Sequence, residues 1–386
     1  MKKLLQSLRL GIIGTGFIAT HLASEVLRRG EPQLTSVLTR RALDTVQFPV
    51  PGSLTNSLED FLNACDVVFE CSGDPFHAFE VVGEALSRGK PVLTLNPEFH
   101  VTVGSHFAGQ GLLSEAAGDQ PGSLAALHRN ALEWGFEPRA LLNLKGFYNP
   151  DPTPEDMRFW AEKKGNSVEM ITSFTDGTKI QVEQCLVANG LGLGIAQEGL
   201  VGLETRDFQQ AAHHFGTLAE ARGQALSDFI LDRNLGHGVI CVATHDPSQQ
   251  NALMNMKMGA GPFYVLEHFC CLLGFEALQT LRQVVDSGQP LLTNSAAPRY
   301  GVAALTKKPI AAGTTVSRGA GSFLLRGSTV ELARRPGHLP ICLAHDITFQ
   351  RDLEPGHIVT FDDIAIADSP VVNAWKAIEA TALAPA

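Results

Sequence analysis

The feature that most constrains this chain is a glycine loop directly after its first apolar segment. Residues 8–13 have the pattern of a short strand, and the loop then opens a helical pattern. In the spacing Gly14-x-Gly16-x-x-Ala19, the first glycine permits a tight turn and the second lets the backbone approach a pyrophosphate. The pyrophosphate would lie on the amides at the helix N-terminus. The loop therefore predicts dinucleotide binding. The expected contact residues are Gly14, Thr15, Gly16, Phe17 and Ile18.

Strand and helix patterns alternate beyond this loop. Apolar strand segments lie near residues 34–38, 66–71 and 91–95, and helical segments separate them. Such alternation predicts right-handed βαβ units and a parallel sheet. With residues 139–144 as one more strand, we predict an N-terminal Rossmann domain over residues 1–149.

A proline run at residues 149–154 predicts the main domain junction, because three prolines in five residues cannot continue a helix or a central strand. Residues 150–295 are mixed and more helical, and we assign them to an α+β catalytic and oligomerisation domain. Residues 296–386 contain short β-rich segments between turn signals, which predict a small all-β domain with a C-terminal tail. The predicted fold class is α/β, with these three domains in sequence.

Composition restricts the partners and the compartment. A formal net charge of −10 argues against a nucleic-acid or anionic-membrane partner, but not against a small anionic substrate. The seven cysteines show no C-x-x-C spacing, and no stretch reaches membrane-spanning length, so we expect a cytoplasmic protein with reduced thiols. Adjacent His213 and His214 would point apart on a helix, so no metal motif is predicted. A divalent-metal requirement stays open.

The end of the second predicted strand bears on the choice of dinucleotide. An acidic residue often binds the adenosine ribose there, whereas this chain has Thr39, Arg40 and Arg41. Arginines can pair bidentately with a 2′-phosphate. We therefore predict NADP as the preferred cofactor, with NAD as the alternative. The other interpretation is that the two arginines merely solvate a loop.

Small and polar residues follow the next two predicted strands. They are Cys71-Ser72-Gly73 and Asn96-Pro97-Glu98. Open α/β sheets bind ligands at the carboxyl ends of their strands, so Cys71, Ser72, Gly73, Asn96 and Glu98 are candidate contacts to the nicotinamide half. Ordinary turns would explain the same residues.

A second candidate site lies in the middle of the chain. If residues 176–183 enter a helix, Lys179 and Glu183 share one face at i,i+4, with Asp176 one turn earlier. A lysine flanked by two carboxylates suits proton transfer to or from a carbonyl or alcohol oxygen. The alternative is a solvated helix face with salt bridges.

Several segments together resemble one family. They are Gly118-Asp-Gln-Pro-Gly122, Lys145-Gly146 with Asn149, Ser173-Phe-Thr-Asp-Gly-Thr-Lys179 with Glu183, Asn189, and Lys257-Met-Gly-Ala-Gly-Pro262. In this order the chain resembles the homoserine-dehydrogenase-like oxidoreductases with a C-terminal SAF domain. That family includes the DXP-reductoisomerase-like enzymes, which make 2-C-methylerythritol 4-phosphate.

The resemblance implies an NAD(P)H-dependent enzyme that forms a homodimer or homotetramer, with a SAF-like domain at 296–386. It implies acid–base roles for Asp176, Lys179 and Glu183, and it adds Lys145 and Asn149 as site residues. We therefore predict hydride transfer between a nicotinamide and a carbonyl or alcohol of a small hydroxylated substrate, with Lys179 protonating or orienting the oxygen. The alternatives are a DXP-reductoisomerase-like reaction and a non-catalytic NADP-binding sensor or scaffold.

Overall fold

The chain forms two compact units. The computed structural model describes residues 7–234 and 237–384. Unit 1 comprises the chain up to Ala126 together with Cys270–Thr293, and unit 2 comprises Leu127–Phe269 together with the chain from Asn294 onward. Each unit has an apolar core of its own. Within the described residues, no helix has the length and apolar character needed to cross a membrane.

Unit 1 is built on a six-stranded parallel sheet. Its strands are β1 (Arg9–Ile13), β2 (Gln33–Leu38), β3 (Leu54–Thr55), β4 (Val67–Glu70), β5 (Val92–Thr94) and β6 (Leu113–Glu115). Their spatial order is β3-β2-β1-β4-β5-β6, and every neighbouring pair is parallel. This is the strand order of a dinucleotide-binding Rossmann sheet, in which the order reverses between β1 and β4. The predicted α/β fold class is confirmed.

Helices connect these strands and begin at clear sequence signals. They are α1 (Phe17–Arg29), α2 (Leu58–Ala64), α3 (Pro75–Ser87), α4 (Pro97–Val103) and α5 (Gln120–Glu133). Ser57, Asp74 and Asn96 cap α2, α3 and α4 by accepting backbone N–H groups with their side chains. Proline as the first residue of α3 and α4 is favourable, since that position has no helical partner for an N–H.

Unit 2 contains a mixed five-stranded sheet. Its strands are β7 (Glu137–Lys145), β8 (Leu203–Glu204), β9 (Leu226–Leu231), β10 (His237–Thr244) and β11 (Tyr264–Phe269), in the order β11-β10-β7-β9-β8. The helices before β11 are α6 (Pro154–Lys164), α7 (Val168–Thr175), α8 (Thr178–Leu191), α9 (Phe208–Arg222) and α10 (Gln250–Asn255). Helix α9 packs its alanines and Phe215 against the apolar side of the sheet. Gln184 of α8 donates its amide to the backbone carbonyls of Leu141 and Asp228.

This division differs from the predicted boundary after residue 149. Residues 139–144 were expected in the Rossmann domain, but they lie in β7, which pairs with β9 and β10 at the centre of the unit 2 sheet. The proline run does not mark a junction either. Thr153 caps α6 and Pro154 is its first residue, so the last proline of the run starts a helix.

A helix from later in the chain returns to unit 1. It is α11 (Leu273–Ser287), and its apolar side packs with α1 in the core of that unit. The hydroxyl of Thr280 accepts the N–H of Ala117 at 3.1 Å. Sequence analysis assigns this segment to the domain at residues 150–295. A helix that returns to a unit formed earlier in the chain carries no local sequence pattern that reveals the return.

The last part of unit 2 is the C-terminal β module, which we define as residues 300–365. It contains β12 (Tyr300–Thr306), β13 (Thr315–Arg318), β14 (Leu325–Glu331), β15 (His345–Phe349) and β16 (Ile364–Ala365), and α12 (Pro370–Leu383) follows. The short strands with turns match the expectation for this region. The structure groups them with unit 2 rather than as a separate domain, since α8 contacts both β12 and β14.

Candidate active site

The glycine loop has the geometry expected of a dinucleotide cradle. Gly14 has a φ of +107°, and a Cβ there would lie 3.1 Å from the carbonyl oxygen of Cys71. Only glycine accepts this conformation and this approach without strain. Gly16 precedes α1, and no atom lies within 4 Å of its Cβ position. An open space therefore adjoins the N-terminus of α1, beside Thr15, the exposed Phe17 and Ile18.

The two arginines after β2 are exposed at the carboxyl end of the sheet. Nη2 of Arg40 lies 2.7 Å from Oδ2 of Asp74, and this ion pair is itself partly exposed. Asp74 also caps α3 by accepting the N–H groups of Phe76 and His77. Arg40 is thus held by a carboxylate in this structure, which a 2′-phosphate would have to replace.

Cys71, Ser72 and Gly73 form the turn between β4 and α3. The thiol of Cys71 donates to the carbonyl of Ile13 at 3.3 Å, and burial raises its pKa well above the ordinary range. This cysteine is therefore a neutral thiol. The N–H of Ser72 donates to Oε1 of Glu70 at 2.7 Å. Gly73 has a φ of +68°, which lets the chain turn here.

Asn96 has a structural role that the sequence interpretation did not assign. Its side chain is buried, Oδ1 accepts the N–H of Phe99 at 3.1 Å, and Nδ2 donates to Oε2 of Glu70 at 2.9 Å. Oδ1 therefore caps α4 and Nδ2 holds a carboxylate, while the expected contact of Asn96 to the cofactor stays a prediction. Glu98 lies in the first turn of α4 and is partly exposed.

A buried glutamate gathers two lysines in unit 2. Glu183 on α8 is 0% exposed, and its Oε2 lies 2.8 Å from Nζ of Lys145 at the end of β7. Its Oε1 lies 3.7 Å from Nζ of Lys179, one turn earlier on α8. Nδ2 of Asn143 donates to Oε2 at 2.6 Å. The two lysine side chains are 16% and 14% exposed, so they line a site that solvent reaches. This group, the Glu183 cluster, comprises Asn143, Lys145, Lys179 and Glu183.

Asp176 is not part of that cluster, contrary to the expected flanking of Lys179. Helix α8 begins only at Thr178, after Gly177 with a φ of +87°, so the helical spacing does not extend back to Asp176. Oδ2 of Asp176 instead lies 2.7 Å from Nζ of Lys307, and Oδ1 accepts the N–H of Thr178 at 2.9 Å. Asp176 is fully buried. It is therefore placed as a support of α8 rather than as a solvent-facing acid–base group.

Asn149 is also explained by local structure. Its Oδ1 accepts the N–H of Asp151 at 3.1 Å, which closes a turn, and its backbone N–H donates to the carbonyl of Thr175 at 2.8 Å. Asn149 therefore shapes the turn that connects β7 with α6, and its expected catalytic role stays a prediction.

Two residues of this region were missed by the sequence interpretation. Asn143 stands between Leu142 and Leu144 in the buried part of β7 (residues 140–144), where it is the one polar residue, and this was the available signal. Lys307 lies 131 positions from Asp176 and carries no signal of its own. Among the described residues, no group of three or more His, Cys, Asp or Glu side chains is arranged to hold a metal ion.

Residues 118–277 match the family described as "Oxidoreductase DRL, catalytic domain". The match covers less than half of the chain, and it includes the whole Glu183 cluster. No curated protein shows significant similarity to the chain. With the Rossmann sheet of unit 1, the match supports an oxidoreductase of the NAD(P)-dependent dehydrogenase or reductase type.

Solved structures similar to this chain include three dehydrogenases. A homoserine dehydrogenase from Thiobacillus denitrificans is 11% identical, with 84% of this chain and 90% of that chain covered and a TM-score of 0.44. A probable dehydrogenase from Thermotoga maritima is 14% identical, with 73% and 90% covered and a TM-score of 0.42. A UDP-N-acetylglucosamine 3-dehydrogenase from Acidithiobacillus ferrooxidans is 13% identical, with 74% and 92% covered and a TM-score of 0.41. Identities and TM-scores this low carry no argument about the substrate.

Proposed function

We propose that this protein transfers hydride between a nicotinamide dinucleotide and the carbonyl or alcohol carbon of a small hydroxylated substrate. The observation that carries the proposal is the Glu183 cluster, in which one buried carboxylate fixes two partly exposed lysines. This cluster lies inside the segment that matches an oxidoreductase catalytic domain. Unit 1 would hold the dinucleotide, and unit 2 would supply the proton.

The residues of unit 1 fit a dinucleotide. The open space beside Gly16 leaves room for a pyrophosphate at the N-terminus of α1, where backbone N–H groups and the helix dipole favour anions. Arg40 and Arg41 support NADP over NAD, because a guanidinium can bind a 2′-phosphate bidentately. When bound, the nicotinamide supplies or accepts the hydride.

Lys179 is the proposed proton donor. During carbonyl reduction the substrate oxygen gains negative charge, which an ammonium within hydrogen-bond distance stabilises before its proton is transferred. The resulting amine takes a proton back from water, which reaches this partly exposed side chain. Glu183 holds the lysine from the buried side, and the shorter pair with Lys145 anchors that carboxylate. In the reverse direction, the neutral amine accepts the proton of the alcohol.

The test is NADPH oxidation with a panel of hydroxyaldehydes, hydroxyketones and their phosphates, including deoxyxylulose phosphate because of the sequence resemblance. For the substrate that reacts, Lys179→Met should lower kcat by about 10²–10⁴-fold, the usual scale for losing one acid–base group. NADPH affinity should hardly change, because the glycine loop belongs to unit 1.

Lys164→Met is the matched control, since Lys164 is an exposed lysine of unit 2 near the end of α6. It should leave kcat and NADPH affinity unchanged. A Lys179→Met variant with near-normal turnover would exclude Lys179 as the donor and leave Lys145 as the candidate. A protein that binds NADPH but reduces no member of the panel would instead favour the sensor or scaffold alternative.

A further inference from the structure

A buried ion pair joins the C-terminal β module to the segment before α8. Lys307 directly follows β12, and its Nζ lies 2.7 Å from Oδ2 of Asp176, with side-chain exposures of 1% and 0%. The N–H of Lys307 donates to the carbonyl of Leu324 at 2.8 Å, which fixes its backbone close to β14. Such a pair tolerates the loss of one partner poorly, because the remaining charge has no water to solvate it.

Asp176 transmits this constraint to the first turn of α8. Its Oδ1 accepts the N–H of Thr178, the first residue of that helix, at 2.9 Å. The hydroxyl of Thr178 in turn accepts the N–H of Gly327 on β14 at 2.9 Å. The first turn is therefore held both by the carboxylate and by the β module. Lys179 directly follows Thr178 and therefore lies in this first turn.

Further along α8, the β module and the residue before it make two more attachments. The N–H of Thr329 donates to Oε1 of Gln181 at 2.8 Å. Oδ1 of Asn189 accepts the N–H groups of Arg299 and Tyr300, each at 3.1 Å. These contacts fix the position of α8 along its length, whereas the Lys307–Asp176 pair acts at the turn that carries Lys179.

We propose that Lys307 is a positioning residue for the Glu183 cluster. By fixing the carboxylate of Asp176, it sets the first turn of α8, which carries Lys179 and leads into the turn that carries Glu183. Lys307 is too buried to touch a substrate. The inference rests on the proposed function, because it assumes that α8 carries the proton donor. It assigns Asp176 to the support of that helix instead of to acid–base chemistry.

The first test is Lys307→Met, which keeps the length of the side chain and removes its charge. Turnover should fall by about 10–100-fold, since a displacement of about 1 Å at a catalytic group has effects of this size. The loss should appear mainly in kcat, and NADPH affinity should not change. Lys308→Met is the matched control, because Lys308 is the next residue and forms a largely exposed pair with Asp151 at 3.4 Å. It should behave as the unmodified protein does.

The second test separates positioning from stability alone. In the double variant Asp176→Asn with Lys307→Met, the asparagine oxygen can still accept the N–H of Thr178 and no buried charge is left unpaired. We expect it to recover a substantial part of the kcat lost in Lys307→Met. Amide hydrogen exchange at Thr178 should be faster in the single variant and slower again in the double variant.

Three outcomes would overturn the proposal. The first is unchanged turnover and exchange in Lys307→Met. The second is a double variant no more active than the single one, which would give Asp176 a chemical role. The third is lowered thermal stability with normal turnover per folded molecule. If Lys179→Met retains turnover while Lys307→Met still slows it and speeds exchange at Thr178, the assigned donor is wrong and the positioning role stands.

Discussion

The two units each bury a glutamate that accepts an asparagine amide, but only one of these glutamates holds lysines. In unit 1, Oε2 of Glu70 lies 2.9 Å from Nδ2 of Asn96, and Oε1 accepts the N–H of Ser72. In unit 2, Oε2 of Glu183 lies 2.6 Å from Nδ2 of Asn143 and 2.8 Å from the ammonium of Lys145. Both carboxyl groups are 0% exposed. The cations are therefore the difference between them.

This difference separates a carboxyl that only joins parts of the backbone from one that, in the proposed function, holds the proton donor. Burial raises the pKa of Glu70 although Ser72 and Asn96 donate hydrogen bonds to it, so the charged form of this carboxyl is costly. Its structural role is to join the ends of β4 and β5 through these two hydrogen bonds. Glu183 instead lies 2.8 Å from the ammonium of Lys145 and 3.7 Å from that of Lys179. Each of those lysines is fixed in return. A buried glutamate in contact with an asparagine therefore has a different role in each unit, depending on whether the fold also places lysines beside it.

Among the changes that test this comparison, removing the charge of Glu183 has the largest expected effect. Glu183→Gln should lower kcat by about 10–10³-fold, because Lys145 and Lys179 lose the carboxylate that fixes them and their orientation is part of the barrier. The measurement is steady-state NADPH oxidation, with circular dichroism to verify folding. Glu204→Gln is the control, since Glu204 forms an exposed pair with Arg233. Normal turnover in Glu183→Gln would show that the carboxylate of Glu183, like that of Glu70, has no part in the reaction.

Much of unit 1 could be predicted from local patterns. The apolar β1, Gly14 with its positive φ, and the caps Ser57 and Asp74 each act over a few residues, and together they specify the βαβ array. The position of β7 could not be predicted in this way. It pairs with β9 and β10, which both lie far along the chain from it. Nothing in the sequence of β7 itself indicates which of the two sheets it joins.

The site was predictable where helical spacing determines it. Lys179 and Glu183 are four residues apart on α8, and the structure brings them to 3.7 Å. Lys145 entered through family resemblance, since it lies on another element. Lys307 could not be found, because its partner Asp176 is 131 positions away. Asn96 caps α4 and Asn149 closes a turn, and their expected roles in cofactor binding and catalysis stay predictions.

A smaller effect concerns how stability depends on pH through Glu70. Its pKa in the folded protein is raised above the unfolded value, so its contribution is present at low pH and is lost as the pH rises through the folded pKa. Glu70→Gln removes the ionisable group and keeps one of the two acceptor oxygens, so it should lessen this loss. We expect the stability of the variant to rise relative to that of the unmodified protein as the pH is raised. Urea unfolding of both proteins at a series of pH values measures this difference.

Asp228 provides the control for that experiment. It is a buried carboxyl of unit 2 whose pKa is raised to about 6 by burial, despite three backbone N–H donors. Its contribution to stability is also lost with rising pH, between about pH 4 and pH 6. Asp228→Asn should therefore alter the pH dependence only in that range. If the stability of Glu70→Gln has the same pH dependence as that of the unmodified protein, ionisation of Glu70 does not destabilise the folded state.

The smallest expected effect concerns the partly exposed pair in unit 1. Arg40 is held by Asp74 at 2.7 Å, and exposed pairs contribute only about 0–1 kcal/mol, so Arg40 can exchange this carboxylate for a 2′-phosphate at little cost. Asp74→Asn preserves a good helix cap and removes the competing charge. NADPH affinity should rise by about 2–5-fold while NADH affinity stays constant, as measured by fluorescence titration. Replacing Arg40 and Arg41 by alanine in the same background should abolish the gain and most of the preference for NADPH. An unmodified protein that binds NADH as tightly as NADPH would show that these arginines only solvate a loop, and the cation–carboxylate pair of unit 1 would then have no part in cofactor choice.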